Sequence, residues 1–329
     1  MEGAERAERF SERVAPPRRR PGGFPSPRSR SMPCSSPREA WLRYDRNASG
    51  KRSIQFSPRN AFGDAFHIPC GRCASCRLEW SADWGGRIDL EVRTLASRGF
   101  EGAIFATLTY DDEHLPPNGS LRKVDVQGFM KRVREYAHRK FNGRRVRFFC
   151  GAEYGERLSR PHYHIILIGH DFREDRRQWR KSEGGIQQYR SEAFEKLWPF
   201  GSVEFGDCGP GAGAYVAQYS LKKVYGDQAD SWYQGREPEF LLCSHSLGRD
   251  GFEVDLASNI AGDHVILTGG ARRRIPKGFE RFIPADQLAA LKEKREARAR
   301  ERWRDNTPER LKVREEVRLA RMRLYRNRV

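Results

Sequence analysis

RPHYHIILIG, residues 160–169, is the stretch of sequence from which the rest of the chain can be placed. It is short, rich in β-branched residues and bounded by proline and glycine, which is typical of a β-strand. The run after the histidines is apolar on both faces, so we expect an inner strand of a covered sheet. Because side chains alternate along a strand, His162 and His164 leave the same face about 7 Å apart. Two such imidazoles can hold one metal ion; the alternative is a pair of histidines hydrogen-bonded within the core.

A second strand is predicted just upstream, in RFFCGAEYG at residues 147–155. The connector at residues 156–160 is short and polar, which predicts an antiparallel hairpin. Glu153 would then lie close to His162, and a register that puts both on one face gives a set of two histidines and one carboxylate. Mixed nitrogen and oxygen ligation of this kind suits Mg²⁺ or Mn²⁺, with other divalent ions left open.

A helix is predicted downstream, in AYVAQYSLKK at residues 214–223. Tyr215, Tyr219 and Lys223 recur there at helical spacing and share one face. The glycines that precede it, at positions 209, 211 and 213, predict a flexible loop at its start. Tyrosines at this spacing usually pack in a core, but a phenol beside a metal-binding strand can also act as a nucleophile on phosphate.

Three further segments occur in a fixed order around these two: PCGRCASCR at 69–77, FATLTYDD at 105–112 and EKLWP at 195–199. Together with the histidine strand and the tyrosine helix, they resemble the replication initiation proteins of gokushovirus-type Microviridae. Those proteins belong to the HUH endonuclease superfamily, named for its His-hydrophobe-His motif. The resemblance covers about residues 32–280, and one departure is Gln218, where the family more often has a basic residue.

The resemblance implies an α+β fold, with a central five-stranded antiparallel sheet flanked by helices and the tyrosine helix beside the histidine strand. It also implies site-specific nicking and strand transfer of single-stranded DNA through a 5′-phosphotyrosine, which initiates rolling-circle replication of a small circular phage genome. The expected partners are origin DNA and the host helicase and polymerase, with no small-molecule substrate. The expected site residues are the metal ligands Glu153, His162 and His164, the nucleophiles Tyr215 and Tyr219, and the assisting Lys222 and Lys223.

Three cysteines at positions 70, 73 and 76 are one ligand short of a tetrahedral zinc site. The family's usual opening, Met-Pro-Cys, is found here at residues 32–34 and suggests Cys34 as the fourth ligand. His67 is an alternative fourth ligand, an iron–sulfur cluster would accept similar spacing, and four unligated buried thiols are a further alternative.

Composition limits the setting in which the protein acts. The chain of 329 residues carries a net charge of +18, which makes a polyanion its natural partner. It contains no apolar run of membrane-spanning length, and its basic N-terminus lacks the apolar core of a signal peptide. Seven cysteines, an odd number, favour reduced thiols or metal ligands over disulfides. We therefore expect the cytoplasm of the bacterial host and no association with a membrane.

Five segments are predicted along the chain. They are a disordered basic arm at 1–31, a cysteine-containing segment and helix at 32–100, the endonuclease core at 101–225, an irregular accessory region at 226–280 and a charged helical tail at 281–329. The arm is also consistent with a start at Met32. Predicted helices lie at 75–97, interrupted by Gly85 and Gly86, at 124–139, at 192–198 and at 285–326 with a break at Pro308, and further strands at 104–110 and 202–205.

Two other functions fit the same observations. A relaxase or HUH transposase of a mobile element would use the same residues on a different DNA site. A noncatalytic, zinc-containing nucleic-acid-binding module would use the cysteines and the basic surface, and would form no covalent bond to DNA.

Overall fold

The computed structural model of the chain describes residues 34–155, 158–182, 185–209, 212–219, 224, 226–301 and 303–326. Two compact units divide these residues. One is Ser81–Leu288, and the other joins residues 34–80 to residues 289–326. The predicted basic arm at 1–31 lies outside the described residues, and the five segments drawn from the sequence stay a prediction.

A seven-stranded antiparallel sheet forms the centre of the first unit. Its strands, in chain order, are β4 (Ala103–Tyr110), β5 (Arg147–Tyr154), β6 (Pro161–Ile168), β7 (Arg177–Lys181), β8 (Gln187–Arg190), β9 (Gly201–Asp207) and β10 (Phe240–Cys243). Their spatial order is β10-β5-β6-β4-β9-β8-β7. The histidine strand β6 therefore has a neighbour on each side, as its apolar sequence predicts. The expected class, α+β with an antiparallel sheet, is confirmed.

The predicted number of five strands is wrong, because strands are present where the sequence shows no strand pattern. β7 and β8 read RQWRK and QQYR, and their residues are exposed or half-buried at one edge of the sheet. Without a buried face they need no alternation of apolar and polar residues. β10 has only four residues and lies in the region expected to be irregular, but it pairs with the whole middle of β5.

One face of the sheet is covered by α2 (Lys123–Lys140) and by α3 (Glu192–Leu197). A continuous buried stripe on α2 consists of Val126, Phe129, Met130, Val133 and Ala137. Each large side chain of this stripe contributes about 1.5–3 kcal/mol on burial, so the stripe fixes this helix on the sheet. α3 begins at a Ser191 cap, whose hydroxyl accepts the amide N–H of Phe194.

The opposite face of the sheet is covered by α1 (Ala74–Ser97) and α4 (Ala212–Tyr219). Trp84 of α1 packs on Phe149 of β5 with ring centroids 4.6 Å apart, and α4 packs against β5 and β6. Gly85 and Gly86 do not interrupt α1, which is continuous. Gly213 is buried inside α4 and does not belong to a loop, because a Cβ at this position would lie 2.5 Å from Cδ1 of Ile88.

Short elements complete the first unit after the sheet. They are the helices α5 (Ala229–Tyr233), α6 (Arg249–Val254) and α7 (Leu256–Gly262) and the two-stranded ribbon of β11 (Val265–Ile266) and β12 (Arg272–Arg273). The prediction of an irregular region at 225–275 is therefore only partly right. Phe252 and Phe279 are fully buried and stack with ring centroids 4.9 Å apart, which gives this region its own apolar contacts.

The second unit contains a three-stranded sheet and two helices. The strands β1 (Arg38–Arg46), β2 (Arg52–Gln55) and β3 (Ala61–Ile68) pair in the order β2-β1-β3. The predicted C-terminal helix is confirmed as α8 (Ala285–Glu301) and α9 (Pro308–Arg326), and Pro308 begins the second helix, where its missing N–H costs nothing. Along the described residues, no helix is both long enough and apolar enough to cross a membrane.

Candidate active site

The candidate site lies on the face of the central sheet that α1 and α4 cover. In the hairpin of β5 and β6, Glu153 lies directly opposite His162, and Gly151 lies opposite His164. Directly opposed residues share a face of an antiparallel pair, and residues two apart on one strand do so too. Glu153, His162 and His164 therefore point to the same side of the sheet. The predicted hairpin and its register are both present.

Glu153 and His164 are in direct contact. The Nε2–H of His164 donates to Oε1 of Glu153 at 2.9 Å, and both side chains are largely buried. On the other side of the ring, Nδ1 of His164 is 3.2 Å from the hydroxyl of Thr107, which lies opposite it on β4. A hydroxyl can donate or accept, so Thr107 suits either tautomer of this histidine.

His162 is held by its own strand. Its Nδ1–H donates to the carbonyl oxygen of Arg160 at 2.7 Å, which leaves the lone pair on Nε2. Gly155 lies against the same ring, because a Cβ there would be 2.9 Å from Cε1 and 3.2 Å from Nδ1 of His162. Burial lowers the pKa of His162, which favours the neutral imidazole that a metal ion requires.

The tyrosine helix reaches this face through one aromatic residue of β4. Phe105 stacks on the ring of His164 with centroids 5.9 Å apart, and the half-buried ring of Tyr215 meets Phe105 edge-on, also at 5.9 Å. Tyr219 is the last residue of α4, one turn beyond Tyr215. The predicted assisting residues, Lys222 and Lys223, lie outside the described residues.

The three predicted metal ligands form a close pair and a third member farther away. Oε1 of Glu153 and Nε2 of His164 are 2.9 Å apart, close to the separation of two neighbouring ligands about 2.1 Å from one ion. Across the residues that the structure describes, however, only the four cysteines form a group of three or more His, Cys, Asp or Glu donors all within 4.8 Å of one another. The donor set fits a divalent ion by its chemistry, and His162 lies on the correct face.

Sequence reasoning did not single out Thr107 and Phe105, although both touch His164. Both lie in the segment at 105–112, and both have the strand parity that places them on the histidine face. That parity was available from the sequence. The pairing of β4 with β6 was not, because these strands are separated in the chain by α2 and β5.

A second cluster of candidate ligands lies in the other unit. The sulfurs of Cys34, Cys70, Cys73 and Cys76 all lie within 4.8 Å of one another, which is compatible with a tetrahedral zinc ion. Backbone N–H groups point at these sulfurs, including that of Cys70 at 3.2 Å from Cys34 and that of Cys73 at 3.3 Å from Cys70. The fourth member is therefore Cys34; the alternative, His67, is exposed on β3.

Hydrogen bonding makes one of these thiols acidic. Burial alone would raise the pKa of Cys73, but hydrogen bonds with Ser35 and Cys76 outweigh it and lower this pKa to about 6. Burial raises the pKa of Cys34 and of Cys76. One thiolate within a group of thiols is a suitable starting point for binding a metal cation, which then deprotonates the other ligands.

The comparisons with known proteins agree with this arrangement. The family model of the replication-associated proteins of the ORF2 type matches residues 103–224, which run from β4 through the tyrosine helix. The chain is 32% identical over 221 residues to the replication-associated protein VP4 of Bdellovibrio phage phiMH2K, covering 66% of this chain and 67% of that protein. It is 30% identical over 241 residues to the replication-associated protein ORF2 of Spiroplasma virus 4, covering 70% and 73%.

A third relative is the replication-associated protein ORF4 of Chlamydia phage 1, 30% identical over 232 residues, which are 67% of this chain and 54% of that protein. No solved structure matches. The chain belongs to the family of phage replication-associated proteins. The predicted resemblance to Microviridae-type replication proteins is thereby confirmed.

Proposed function

We propose that this protein initiates rolling-circle replication of a small circular phage genome by cutting single-stranded origin DNA and holding the new 5′ end as a phosphotyrosine. The observation that carries the proposal is the shared face of Glu153, His162 and His164, with Tyr215 joined to His164 through Phe105. This places the proposed nucleophile helix beside the proposed metal ligands, as the resemblance to HUH endonucleases implies.

The chain's own residues bind and orient the reacting groups. Glu153, His162 and His164 would hold Mg²⁺ or Mn²⁺, with Thr107 fixing the orientation of the His164 ring and the Arg160 carbonyl that of the His162 ring. Such an ion, when bound, would polarise a non-bridging phosphate oxygen and offset charge in the in-line transition state. The face is walled by apolar side chains, Phe105 among them, which limits the access of water.

The covalent step exchanges one phosphodiester for another. The phenol oxygen of Tyr215 or Tyr219 attacks the phosphorus and gives up its proton, and the bond from phosphorus to the 3′ oxygen breaks. That oxygen gains a proton and becomes the 3′-OH that primes synthesis. Because the phosphotyrosine keeps the energy of the ester, the reverse reaction can close a circle without ATP. Lys222 and Lys223 would contact the phosphate.

Two tyrosines one helical turn apart, about 6 Å along the axis, suit a repeated reaction. One would hold the parental 5′ end during a round of synthesis, and the other would attack the regenerated origin. The host helicase and polymerase would extend the freed 3′ end, which places the reaction in the bacterial cytoplasm.

The cysteine cluster supports a structural zinc ion and also favours the second candidate function, a noncatalytic nucleic-acid-binding module. The two candidates make opposite predictions about chemistry. The test is cleavage of labelled single-stranded origin DNA in Mn²⁺ by the full-length protein and by His162→Ala and His164→Ala variants. We expect both variants to lose cleavage and to keep most of their DNA affinity, since Lys and Arg contacts to phosphate supply that affinity.

The matched control is His264→Ala. The ring of His264 also donates its Nδ1–H to a carbonyl two residues earlier, that of Gly262, but it is exposed and belongs to another part of the unit. It should cleave at the rate of the unaltered protein. Full cleavage by both site variants, or by the unaltered protein in excess EDTA, would overturn the metal assignment.

A further inference from the structure

The small sheet of the cysteine unit exposes an unusual set of large apolar side chains. Tyr44 is 64% exposed, Ile54 51%, Phe56 52% and Phe62 46%. These residues come from all three strands or, for Phe56, from the residue that follows β2. Aromatic residues scattered singly on a surface need no explanation, but four large apolar side chains grouped on one small sheet do.

The register places this group on a single face, here called the aromatic face and comprising Tyr44, Ile54, Phe56 and Phe62. Leu42 of β1 is directly opposite both Ile54 of β2 and Phe62 of β3, so these side chains share a face. Tyr44 follows Leu42 by two residues, and its ring centroid lies 6.4 Å from that of Phe62. Phe56 follows Ile54 by two residues.

Arginine side chains lie among the rings of the aromatic face. The guanidinium of Arg52 lies 3.7 Å from the ring centroid of Phe62 and 5.6 Å from that of Tyr44. The guanidinium of Arg38 lies 3.9 Å from that of Phe56. The rings keep roughly half of their surface exposed in spite of these contacts, so the arginines do not close the face.

We propose that the aromatic face binds single-stranded DNA by stacking unpaired bases on Tyr44 and Phe62 while Arg52 contacts the neighbouring phosphate. Aromatic rings take up bases of any sequence, because every base has a flat π-face, and a guanidinium serves both stacking and phosphate binding. The inference rests on the proposed function in one respect only, namely that the substrate is single-stranded DNA.

Charge and geometry favour this ligand over others. Residues 34–68, which form the sheet and its approaches, contain six basic and three acidic residues, so the face is complementary to a polyanion. Duplex DNA keeps its bases stacked on one another and offers none to an exposed ring, whereas a single strand does. The aromatic face lies in a different unit from the candidate active site, so it would bind a length of strand that is not being cut.

The test is the binding of a fluorescent dT20 oligonucleotide by the full-length protein, followed by anisotropy, with the double variant Tyr44→Ala/Phe62→Ala. Base stacking on a ring contributes about 1–3 kcal/mol per base. We therefore expect dT20 binding at least tenfold weaker, with the same slope of log affinity against log salt, because stacking releases no counterions. Binding of a duplex of equal length should be unchanged.

Two further variants keep this test decisive. Tyr44→Phe/Phe62→Tyr keeps both rings and should bind dT20 like the unaltered protein, and Trp232→Ala removes a ring that is 48% exposed in the other unit and should have no effect. Unchanged zinc content and melting temperature show that the double alanine variant is folded.

Affinity for dT20 within twofold of the unaltered protein, in a folded double alanine variant, overturns the inference. A changed oligomeric state with unchanged dT20 affinity also overturns it and identifies the face as a contact between copies of the chain. The proposed function is judged separately, since weaker dT20 binding stands even if no nicking is found, and nicking stands even if dT20 binding is unchanged.

Discussion

Gly155 is the position where a one-carbon change tests the role of His162 most sharply. The substitution is Gly155→Ala. Its Cβ would lie 2.9 Å from Cε1 and 3.2 Å from Nδ1 of His162, and 3.6 Å from the carbonyl oxygen of Arg160. Ordinary contacts of this kind are about 3.5–4 Å, so the imidazole must move by about 0.5–1 Å. The movement strains the 2.7 Å hydrogen bond that orients the ring.

The expected effect on chemistry is larger than the effect on stability. Loss of one hydrogen bond costs about 1 kcal/mol, and part of this is offset because alanine restricts the unfolded chain more than glycine does. A catalytic group displaced by about 1 Å can lower the rate by about 100-fold. We therefore expect a melting temperature within a few degrees of the unaltered protein and a nicking rate reduced about 10- to 100-fold.

The assay is single-turnover nicking of origin DNA across a Mn²⁺ titration, beside thermal unfolding of the same samples. The matched control is Gly128→Ala in α2, where the new Cβ would meet only the flexible end of the Arg132 side chain, at 3.4 Å. That variant should nick at the normal rate and be at least as stable. A folded Gly155→Ala protein with the normal rate and the normal Mn²⁺ dependence would refute the assigned role of His162.

Two other predictions concern the second unit. Cys34→Ser should abolish stoichiometric zinc measured by elemental analysis and should lower the melting temperature, whereas Cys243→Ser, at a half-buried cysteine outside the cluster, should change neither; full zinc content in Cys34→Ser would contradict the four-cysteine site. Glu315→Gln should lower the free energy of unfolding by about 1–2 kcal/mol in urea titrations, because the carboxylate of Glu315 accepts the N–H of Ala74 at 3.1 Å at the start of α1, and an unchanged urea midpoint would show that this contact adds nothing.

The parts of the fold that could be predicted from sequence are those with a long, strongly patterned buried face. The histidine strand is apolar on both faces and proves to be an inner strand, and α2 carries a buried stripe that fixes its period. The hairpin of β5 and β6 followed from a short polar connector. In each case local sequence and tertiary burial favour the same structure.

The elements that could not be predicted depend on neighbours far away in the chain. β7 and β8 are polar because they lie at an exposed edge, and β1 to β3 expose the very residues that usually indicate a core. Gly213 was taken for a loop residue because glycine weakens helices. Its place in α4 depends on the close approach of Ile88 in α1, which local sequence does not reveal.

The candidate site divides in the same way. Strand parity alone put Glu153, His162 and His164 on one face, since it needs only the hairpin. The contacts of Thr107 and Phe105 need the pairing of β4 with β6. Cys34 lies 36 residues before Cys70, too far for spacing to select it over His67, and only the family's opening motif indicated it.

The account's central claim is that a tyrosine of α4 becomes joined to DNA. The most direct measurement is mass spectrometry of the peptide that carries a nucleotide after incubation of the full-length protein with origin DNA and Mn²⁺, denaturation and digestion. We predict nucleotide on Tyr215 or Tyr219, an adduct that survives in each single Tyr→Phe variant, and no adduct in the double variant. An adduct on any other residue, or nicking by the double variant, would contradict the account.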